Sequence, residues 1–394
     1  MTRTAHSAIR FEGRPVWAEV SLRAIGHNLR MIRRAIGSKR KTLAIVKANA
    51  YGLGAVQVSK ALARMGVEAF GVTCSQEGIE LREAGIRRPI VLLTGFWPGE
   101  ERRILKYKLT PTIARLGQLE LLERSAAKDG TGKSRKKILF HLKIDSGMNR
   151  LGISPREIPA FVKELAACPH LQLGGTFTHF ASSEDLRTKQ NEQQEKVFSD
   201  ALEKLRSAGV SPGIVHMANS GAICARPGTL ADMVRPGAVL YGYHQGFEPS
   251  EVAAEVRQRM PLRPCLSLRS RIISLRDVTA GESVGYSARF TAERPSRIAV
   301  IAAGYADGVV RQRTNRGCVI IAGKLAPLVG AISMDLSMVD VTEVPSAAIG
   351  DIVTIYGRDG ESSMEVDQVA RQIGTVTSDL LCAVGRRVPR FYLD

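Results

Sequence analysis

Long apolar runs are missing from this sequence of 394 residues. None reaches the roughly 18–20 uninterrupted apolar residues that span a bilayer, so the sequence argues against a membrane protein or a membrane partner. The N-terminal segment also lacks the apolar core and the small-residue cleavage site of a signal peptide. We therefore expect a cytoplasmic protein.

Paired cysteines are absent as well. The six cysteines are scattered and none forms a C-x-x-C pair. This pattern indicates neither a disulfide framework nor a zinc site, and we expect no metal.

Aromatic residues make up only 5% of the chain, although its formal net charge is +18. A basic segment, KSRKK at 133–137, adds to the question of a nucleic-acid partner. Because no groove-reading motif is present, we expect no such partner. A positive field favours an anionic small ligand instead.

Apolar, β-branched segments alternate with segments of helical periodicity through the first 240 residues. They lie at 42–49, 69–74, 90–94, 109–114, 138–144, 173–180, 214–219 and 233–241. Eight strand-then-helix units predict an α/β fold, a TIM-like (β/α)8 barrel. The rival is a doubly wound open sheet, but the G-L-G at 52–54 lacks that fold's further spaced glycine.

The pattern changes after residue 255. A basic linker is followed by short strands, predicted at 266–276, 297–303, 317–322, 338–342 and 351–357, and by one helix near 365–373. This predicts a second, mainly β domain. We place the barrel at 12–258 and the mainly β C-terminal domain at 262–394.

Polar side chains follow many of the predicted barrel strands, where active sites of such barrels collect. A single histidine there is more often a core residue, but together these groups favour an anionic ligand at one mouth. They are Lys47, Lys143, Asp145, Arg150, His179, His216, Asn219, Ser220 and Arg235.

Part of this mouth suits a phosphate. The Ser220 hydroxyl and the backbone around Gly237 and Ala238 follow the last two barrel strands, and Tyr51 adds a phenolic donor. A lysine in a dry pocket has a lowered pKa and is a better nucleophile. Pyridoxal 5′-phosphate would supply an aldehyde for Lys47, a phosphate for this corner and a pyridine ring that needs a partner.

Eight sequence blocks, in order and across nearly the whole chain, resemble the bacterial alanine racemase family. They are VKANAYGLG (46–54), HLKIDSGMNRLG (141–152), THFASSE (178–184), HMANSGA (216–222), VRPGAVLYG (234–242), VGYSARF (284–290), GYADG (304–308) and SMDLSMVDVT (333–342). The family usually carries histidine where this chain has Leu53. The resemblance implies interconversion of L- and D-alanine with pyridoxal phosphate, which supplies D-alanine for peptidoglycan.

The resemblance also implies two bases on opposite faces of the substrate. Lys47 would hold the cofactor and act on one face, and Tyr286 would act on the other from the second subunit of a homodimer. Arg235 would donate to the pyridine nitrogen, with His179 orienting Tyr286 and Arg235. Since arginine only donates, the ring nitrogen would stay unprotonated and the ring would be a weaker electron sink.

Further roles carry over in the same way. Arg150 would contact the phenolic oxygen of the cofactor and the substrate, held by Lys143, a carbamylated lysine in some members. The phosphate would contact Tyr51, Ser220, Gly237 and Ala238. The substrate would meet the Met334 backbone and an entrance lined by Tyr305 and Asp335.

One position departs from the family pattern. A further phosphate-binding tyrosine is usual near the C-terminus, and this chain has Ser378 there. A serine is shorter and would reach the phosphate through water.

Three alternatives remain open on the sequence. Basic amino-acid decarboxylases share the architecture but place a carboxylate at the ring nitrogen, against which Arg235 argues. A non-enzymatic carrier of pyridoxal phosphate would leave residues 262–394 without a role. A serine or broad-specificity racemase of the same architecture is the nearest alternative.

Overall fold

Residues 13–128 and 137–394 are described by a computed structural model of the chain. The basic segment at 133–137 lies outside them except for Lys137. The strands, in chain order, are β1 Val16–Ser21, β2 Lys41–Ile45, β3 Ala69–Val72, β4 Ile90–Leu92, β5 Thr112–Ile113, β6 Ile138–Lys143, β7 Leu171–Phe177, β8 Ile214–His216, β9 Met233–Val234, β10 Leu266–Val278, β11 Ser283–Val284, β12 Phe290–Thr291, β13 Ser296–Ile301, β14 Cys318–Ile321, β15 Lys324–Val329, β16 Ser337–Asp340, β17 Ile352–Asp359, β18 Ser362–Met364 and β19 Arg390–Leu393.

Helices separate most of the strands in the first two thirds of the chain. They are α1 Leu22–Ile36, α2 Lys47–Tyr51, α3 Ala55–Arg64, α4 Ser75–Glu83, α5 Glu101–Lys106, α6 Gln118–Lys128, α7 Ile158–Ala166, α8 Gln190–Ser207, α9 Ser220–Ala225, α10 Ser250–Arg259, α11 Val366–Ile373 and α12 Thr377–Cys382. Within the described part of the chain, no helix is long and apolar enough to cross a membrane.

Strands β2 to β9 form a parallel barrel in the unit Ala24–Arg263. They pair in the orders β4-β3-β2-β9 and β5-β6-β7-β8. Backbone hydrogen bonds join the two sheets at both seams: Leu92 N donates to Thr110 O (2.9 Å) and Asp232 N donates to Val215 O (3.0 Å). All eight strands predicted from the sequence are present, and the predicted (β/α)8 barrel is confirmed.

The barrel strands are apolar because both of their faces are covered. In β2, residues Leu43, Ala44 and Ile45 are all buried. The predicted helix before this strand is also present, with one apolar face at the spacing of a helix. Its face consists of Leu22, Ile25, Leu29, Ile32 and Ile36, all buried.

The second unit contains the chain up to Arg23 together with Pro264–Asp394. Its nine-stranded sheet has the order β18-β17-β14-β15-β16-β13-β10-β1-β19. A mainly β C-terminal domain was therefore correctly predicted, and the helix predicted near 365–373 is α11. The predicted strands match β10, β13, β14, β16 and β17, while β11, β12, β15, β18 and β19 were not foreseen.

Strand β1 lies in this second unit. The predicted division, with the barrel at 12–258 and the β domain at 262–394, placed it in the barrel instead. It pairs antiparallel with β10 and parallel with β19. A buried ion pair holds it there: Arg269 Nε donates to Glu19 (2.9 Å), and Trp17 Nε1 also donates to Glu19 (3.0 Å). Loss of Arg269 would leave the buried carboxylate of Glu19 without its charged partner, so the pair adds to the backbone pairing of β1 with β10.

Candidate active site

A left-handed turn follows β2 at the carboxyl end of the barrel. Four consecutive residues other than glycine have positive φ: Ala48 (51°), Asn49 (54°), Ala50 (53°) and Tyr51 (55°). Each costs roughly 1–2 kcal/mol for an L-residue, so the turn has to be held from outside. Glu77 accepts from Ala48 N (2.6 Å), and Asn49 Oδ1 accepts from Ala55 N (2.8 Å).

Strain of this kind is found at functional sites. The turn carries two residues predicted to bind the cofactor, Lys47 at its start and Tyr51 at its end.

Tyr51, Ser220 and Gly237 meet in one corner of the barrel unit. Ser220 Oγ accepts from Gly237 N (3.0 Å), and a hydroxyl that accepts still has its own hydrogen to donate. A Cβ at position 237 would lie 2.5 Å from the Tyr51 hydroxyl, so a side chain there would displace this hydroxyl. Ala238 follows directly and begins a 3-10 turn, Ala238–Tyr241. The residues predicted to bind phosphate therefore lie close together.

Arg235 lies just beyond β9, almost completely buried. Its Nη1 and Nη2 donate to the carbonyl oxygens of His216 (2.8 Å), Thr178 (2.7 Å) and Met217 (3.0 Å). Burial lowers its pKa to about 9, so it remains a cation and a donor at neutral pH. Within residues 13–128 and 137–394, no acceptor is bonded to its Nε, which leaves one N–H for a ligand.

Imidazoles lie on either side of this guanidinium. Arg235 Nη2 donates to Nδ1 of His179 (3.1 Å), and Nη1 donates to Nδ1 of His216 (3.1 Å). Since arginine cannot accept, both rings carry their hydrogen on Nε2. Burial first, then the charge of Arg235, lowers the pKa of both histidines well below the usual value, so both are neutral.

His141 completes the chain of imidazoles and was missed by the sequence reasoning. The Nε2–H of His216 donates to Nδ1 of His141 (3.0 Å), which is buried with a pKa of about 4, mainly through desolvation. Gly175 leaves room for this ring, because a Cβ there would lie 2.9 Å from its Nε2. The signal was available: His141 is two residues before Lys143, on the same face of β6.

Phe177 is a second residue not foreseen. Its ring stacks on His216 at 4.7 Å and lies under Arg235, with the guanidinium carbon 5.3 Å from its centroid. Lys143 Nζ is 5.6 Å from the same centroid. One aromatic ring therefore supports three of the polar groups at the strand ends.

The loop after β6 presents Arg150, an exposed residue. Asp145 holds this loop by accepting from four successive backbone amides. The loop ends at Gly152, which has a φ of 132°. A Cβ at this position would lie only 2.5 Å from Asp145 N, so glycine is required. The charges of Arg150, Lys143 and Lys47 all lower the pKa of His179, which places these cations around one mouth.

The two lysines at this mouth differ in burial within the chain. Lys47 is exposed, whereas the buried amine is Lys143, whose side chain lies beside Phe177. Burial, followed by the charge of Arg150, lowers the pKa of Lys143 to about 8. Roughly a tenth of this amine is neutral at pH 7.

We expect Lys143 to make stability depend on alkaline pH. The unfolded chain keeps a proton that the folded chain has lost between pH 8 and 10.5, so stability rises through this window by about 3 kcal/mol. Below pH 8 the amine is protonated in both states, and the free energy of unfolding is lowered by the full cost of burying the charged amine. Urea unfolding of cofactor-free wild type and Lys143→Met, in buffers free of carbon dioxide, should show that the variant loses this rise.

Lys163→Met is the matched control, since Lys163 is exposed on α7. An identical pH dependence for Lys143→Met and Lys163→Met would contradict the assignment of the lowered pKa.

The remaining predicted residues lie in the β unit. Tyr286 is 72% exposed on a 3-10 turn, Tyr286–Ala288, in which Ser287 and Ala288 have positive φ. Tyr305, Met334 and Asp335 lie in two neighbouring turns, joined by the bond from Tyr305 N to Ser333 O (3.0 Å). Ser378 is half-buried in α12. Among the described residues, no group of three or more His, Cys, Asp or Glu is placed to hold a metal.

A barrel with cationic strand ends, a corner formed by Tyr51, Ser220 and Gly237, and a lysine on a strained turn suits an enzyme that uses pyridoxal phosphate. Family models describe the same two parts: "Alanine racemase, N-terminal domain" matches residues 20–245, and "Alanine racemase, C-terminal domain" matches 265–392. The chain belongs to the alanine racemase family.

Individual proteins agree with this assignment. The alanine racemase of Geobacter sulfurreducens is 38% identical, over 97% of this chain and 98% of that protein. The structure of the Clostridium difficile 630 alanine racemase is 33% identical and has a TM-score of 0.86, over 97% of each chain. That of Bartonella henselae, with covalently bound pyridoxal phosphate, is 29% identical and has a TM-score of 0.84, over 97% of this chain and all of that one.

Proposed function

We propose that this chain interconverts L-alanine and D-alanine with pyridoxal 5′-phosphate as its cofactor. The observation that carries the proposal is the buried Arg235, a pure donor with its Nε–H not engaged by the described protein, at the mouth of the barrel. A decarboxylase of this architecture would place a carboxylate at that point.

The residues present fit the cofactor. The Tyr51 hydroxyl, Ser220 and the backbone at Gly237 and Ala238 suit its phosphate, and the close contact at Gly237 leaves no space for a side chain. Arg235 suits a ring nitrogen that accepts. Lys47 is the amine that would hold the aldehyde carbon covalently.

When bound, the cofactor withdraws electrons from the Cα of an attached amino acid and acidifies its hydrogen. The chain must then remove a proton on one face and return one on the other. We assign these tasks to Lys47 Nζ and the Tyr286 hydroxyl. A phenol has a reference pKa of ~10, so Tyr286 needs a neighbour that favours its anion. His179, neutral with hydrogen on Nε2, is suited to donate to it, and Arg235 fixes that ring from behind.

Arg150 is assigned to the phenolic oxygen of the cofactor and to the substrate. The lowered pKa of Lys143, about 8, makes its amine more available to carbon dioxide, which supports carbamylation of this residue. A carbamate would place a negative charge among the cations and hold Arg150.

Substrate binding is assigned to the Met334 backbone, with Tyr305 and Asp335 at the entrance. Ser378 is assigned to the phosphate through water, because its hydroxyl is too short for the direct contact that a tyrosine makes. The assignments of Met334, Tyr305 and Asp335 rest on their positions in the family blocks.

A homodimer is proposed because the resemblance to the family assigns Tyr286 to the site of a second subunit. The Tyr286 side chain is 72% exposed on a turn with strained backbone, as expected of a group that contacts another chain. A cytoplasmic location and a supply of D-alanine for peptidoglycan complete the proposal.

Chiral analysis of products tests the function. The purified protein is incubated with pyridoxal phosphate and, separately, L-alanine and L-serine. We expect D-alanine at a rate far above that of D-serine, and none from Lys47→Ala. Comparable D-serine would favour a broad-specificity racemase, and cofactor binding without any D-product would favour a carrier.

A further inference from the structure

Two arginines from opposite ends of the chain converge on one buried carboxylate in the β unit. Asp307 is completely buried. Arg387 donates to it through Nε (2.8 Å) and Nη2 (3.1 Å), and Arg14 Nη1 lies 3.1 Å from Oδ2. Asp307 Oδ2 also accepts from Gly304 N (2.9 Å). A buried carboxylate with this many donors has one fixed position.

The same two arginines also hold the neighbouring turn at 333–336. Arg387 Nη2 donates to Asp335 Oδ1 (2.6 Å) and approaches Met334 O (3.4 Å). Arg14 Nη2 donates to the carbonyl oxygen of Asp335. Each guanidinium therefore bridges Asp307 and the second turn, and we call Arg14 and Arg387 the arginine clamp.

The two turns already face each other closely. Tyr305 N donates to Ser333 O (3.0 Å) and Ala306 N donates to Met334 O (3.1 Å). A Cβ on Gly304 would lie 2.4 Å from Ser333 O, so the two turns are too close for a side chain at this position. The arginine clamp adds side-chain contacts to two turns that carry three groups assigned to the substrate.

We propose that Arg14 and Arg387 are positioning residues for substrate binding, acting by fixing the turn that carries Met334 and Asp335 against the turn that carries Tyr305. Arg14 lies before residue 20, outside the regions that match the family models. The inference rests on the proposed function for its kinetic part only.

Amide hydrogen exchange tests the clamp itself, with or without cofactor. In Arg14→Met, we expect protection of the amides of Tyr305 and Ala306 to fall about tenfold, because the second bridge between the turns is lost. Arg387 still pairs with Asp307 in this variant, so the fold is retained. Arg14→Lys keeps one contact and should give a smaller loss.

Kinetics test the role of the clamp. In Arg14→Met we expect KM for alanine to rise about tenfold, with kcat and the affinity for pyridoxal phosphate within about twofold of wild type. Arg294→Met is the matched control: Arg294 pairs with Glu343 on the surface of the same unit, and both are exposed. It should change neither readout.

Unchanged exchange at Tyr305 and Ala306 would overturn the proposal, as would equal losses in kcat and cofactor affinity without a rise in KM. A protein that shows the exchange effect but forms no D-alanine would refute the proposed function and leave the clamp in place.

Discussion

Replacing Lys47 by alanine is expected to abolish racemisation and to remove the visible absorption of lysine-bound pyridoxal phosphate. Lys47 stands at the start of the strained turn after β2, exposed at the mouth, while Lys143 is buried beside Phe177. In the proposed mechanism, the variant loses both the covalent attachment and one of the two proton-transferring groups. We expect kcat/KM to fall by at least about 10⁴-fold. Absorption spectra and chiral product analysis measure the two effects.

Lys41→Ala is the control for this prediction. Lys41 is exposed at the opposite end of the same strand, so its removal tests the loss of a lysine without touching the mouth. Retention of the absorption band and of more than a tenth of the rate in Lys47→Ala would place the anchor elsewhere, with Lys143 as the first candidate.

The barrel was predictable because its signals are local. Each strand is a short apolar segment, and helix α1 shows its buried face within fifteen residues. Parallel strands need a crossover, so alternation of the two patterns constrains topology as well as secondary structure.

Strand β1 was not predictable in the same way. Its sequence, VWAEVS, is short and mostly apolar, and its partner β10 is about 250 residues away. Nothing near it in the sequence says that Glu19 will be buried against Arg269. The arginine clamp has the same origin, since Arg14 and Asp307 are 293 positions apart.

The candidate site was predicted in its residue types more than in its geometry. Strand ends indicated the cations, and the positions of Tyr51, Ser220 and Gly237 agree with a common corner. The left-handed turn could not be predicted, because Ala-Asn-Ala-Tyr is compatible with an ordinary helix. The contact that holds its first residue comes from Glu77, which lies 29 positions further along the chain.

The burial of Lys143 could not be predicted from the sequence. Desolvation depends on what covers a side chain and not on its place in a strand. In this chain the inward face of β6 buries His141 and Lys143, and the amine with the lowered pKa is Lys143.

Tyr286→Phe is expected to lose α-hydrogen exchange from one alanine enantiomer far more than from the other. The hydroxyl is assigned to one face of the substrate only, and Lys47, assigned to the opposite face, is unchanged in this variant. Loss of one general acid–base group costs about 10²- to 10⁴-fold. Release of deuterium from each α-deuterated enantiomer into water is measured separately.

Exchange is needed because net racemisation cannot show this asymmetry. L- and D-alanine are mirror images, so their equilibrium constant is one and any enzyme variant must slow both directions by the same factor in kcat/KM. Equal losses of exchange from both enantiomers would therefore argue against bases on opposite faces. Tyr107→Phe, whose hydroxyl bonds Glu83 at an exposed position, is the control and should exchange as wild type does.

A mixture of two inactive variants tests the subunit from which Tyr286 comes. If the hydroxyl crosses to the partner, a hybrid dimer of Lys47→Ala and Tyr286→Phe subunits contains one site with neither lysine nor hydroxyl and one site with both. Random exchange of subunits makes half of the dimers hybrids, so activity should return to roughly a quarter of the wild-type value. If Lys47 and Tyr286 act within one subunit, every site in the mixture lacks one group and no activity returns. The exposed position of Tyr286 then requires another explanation.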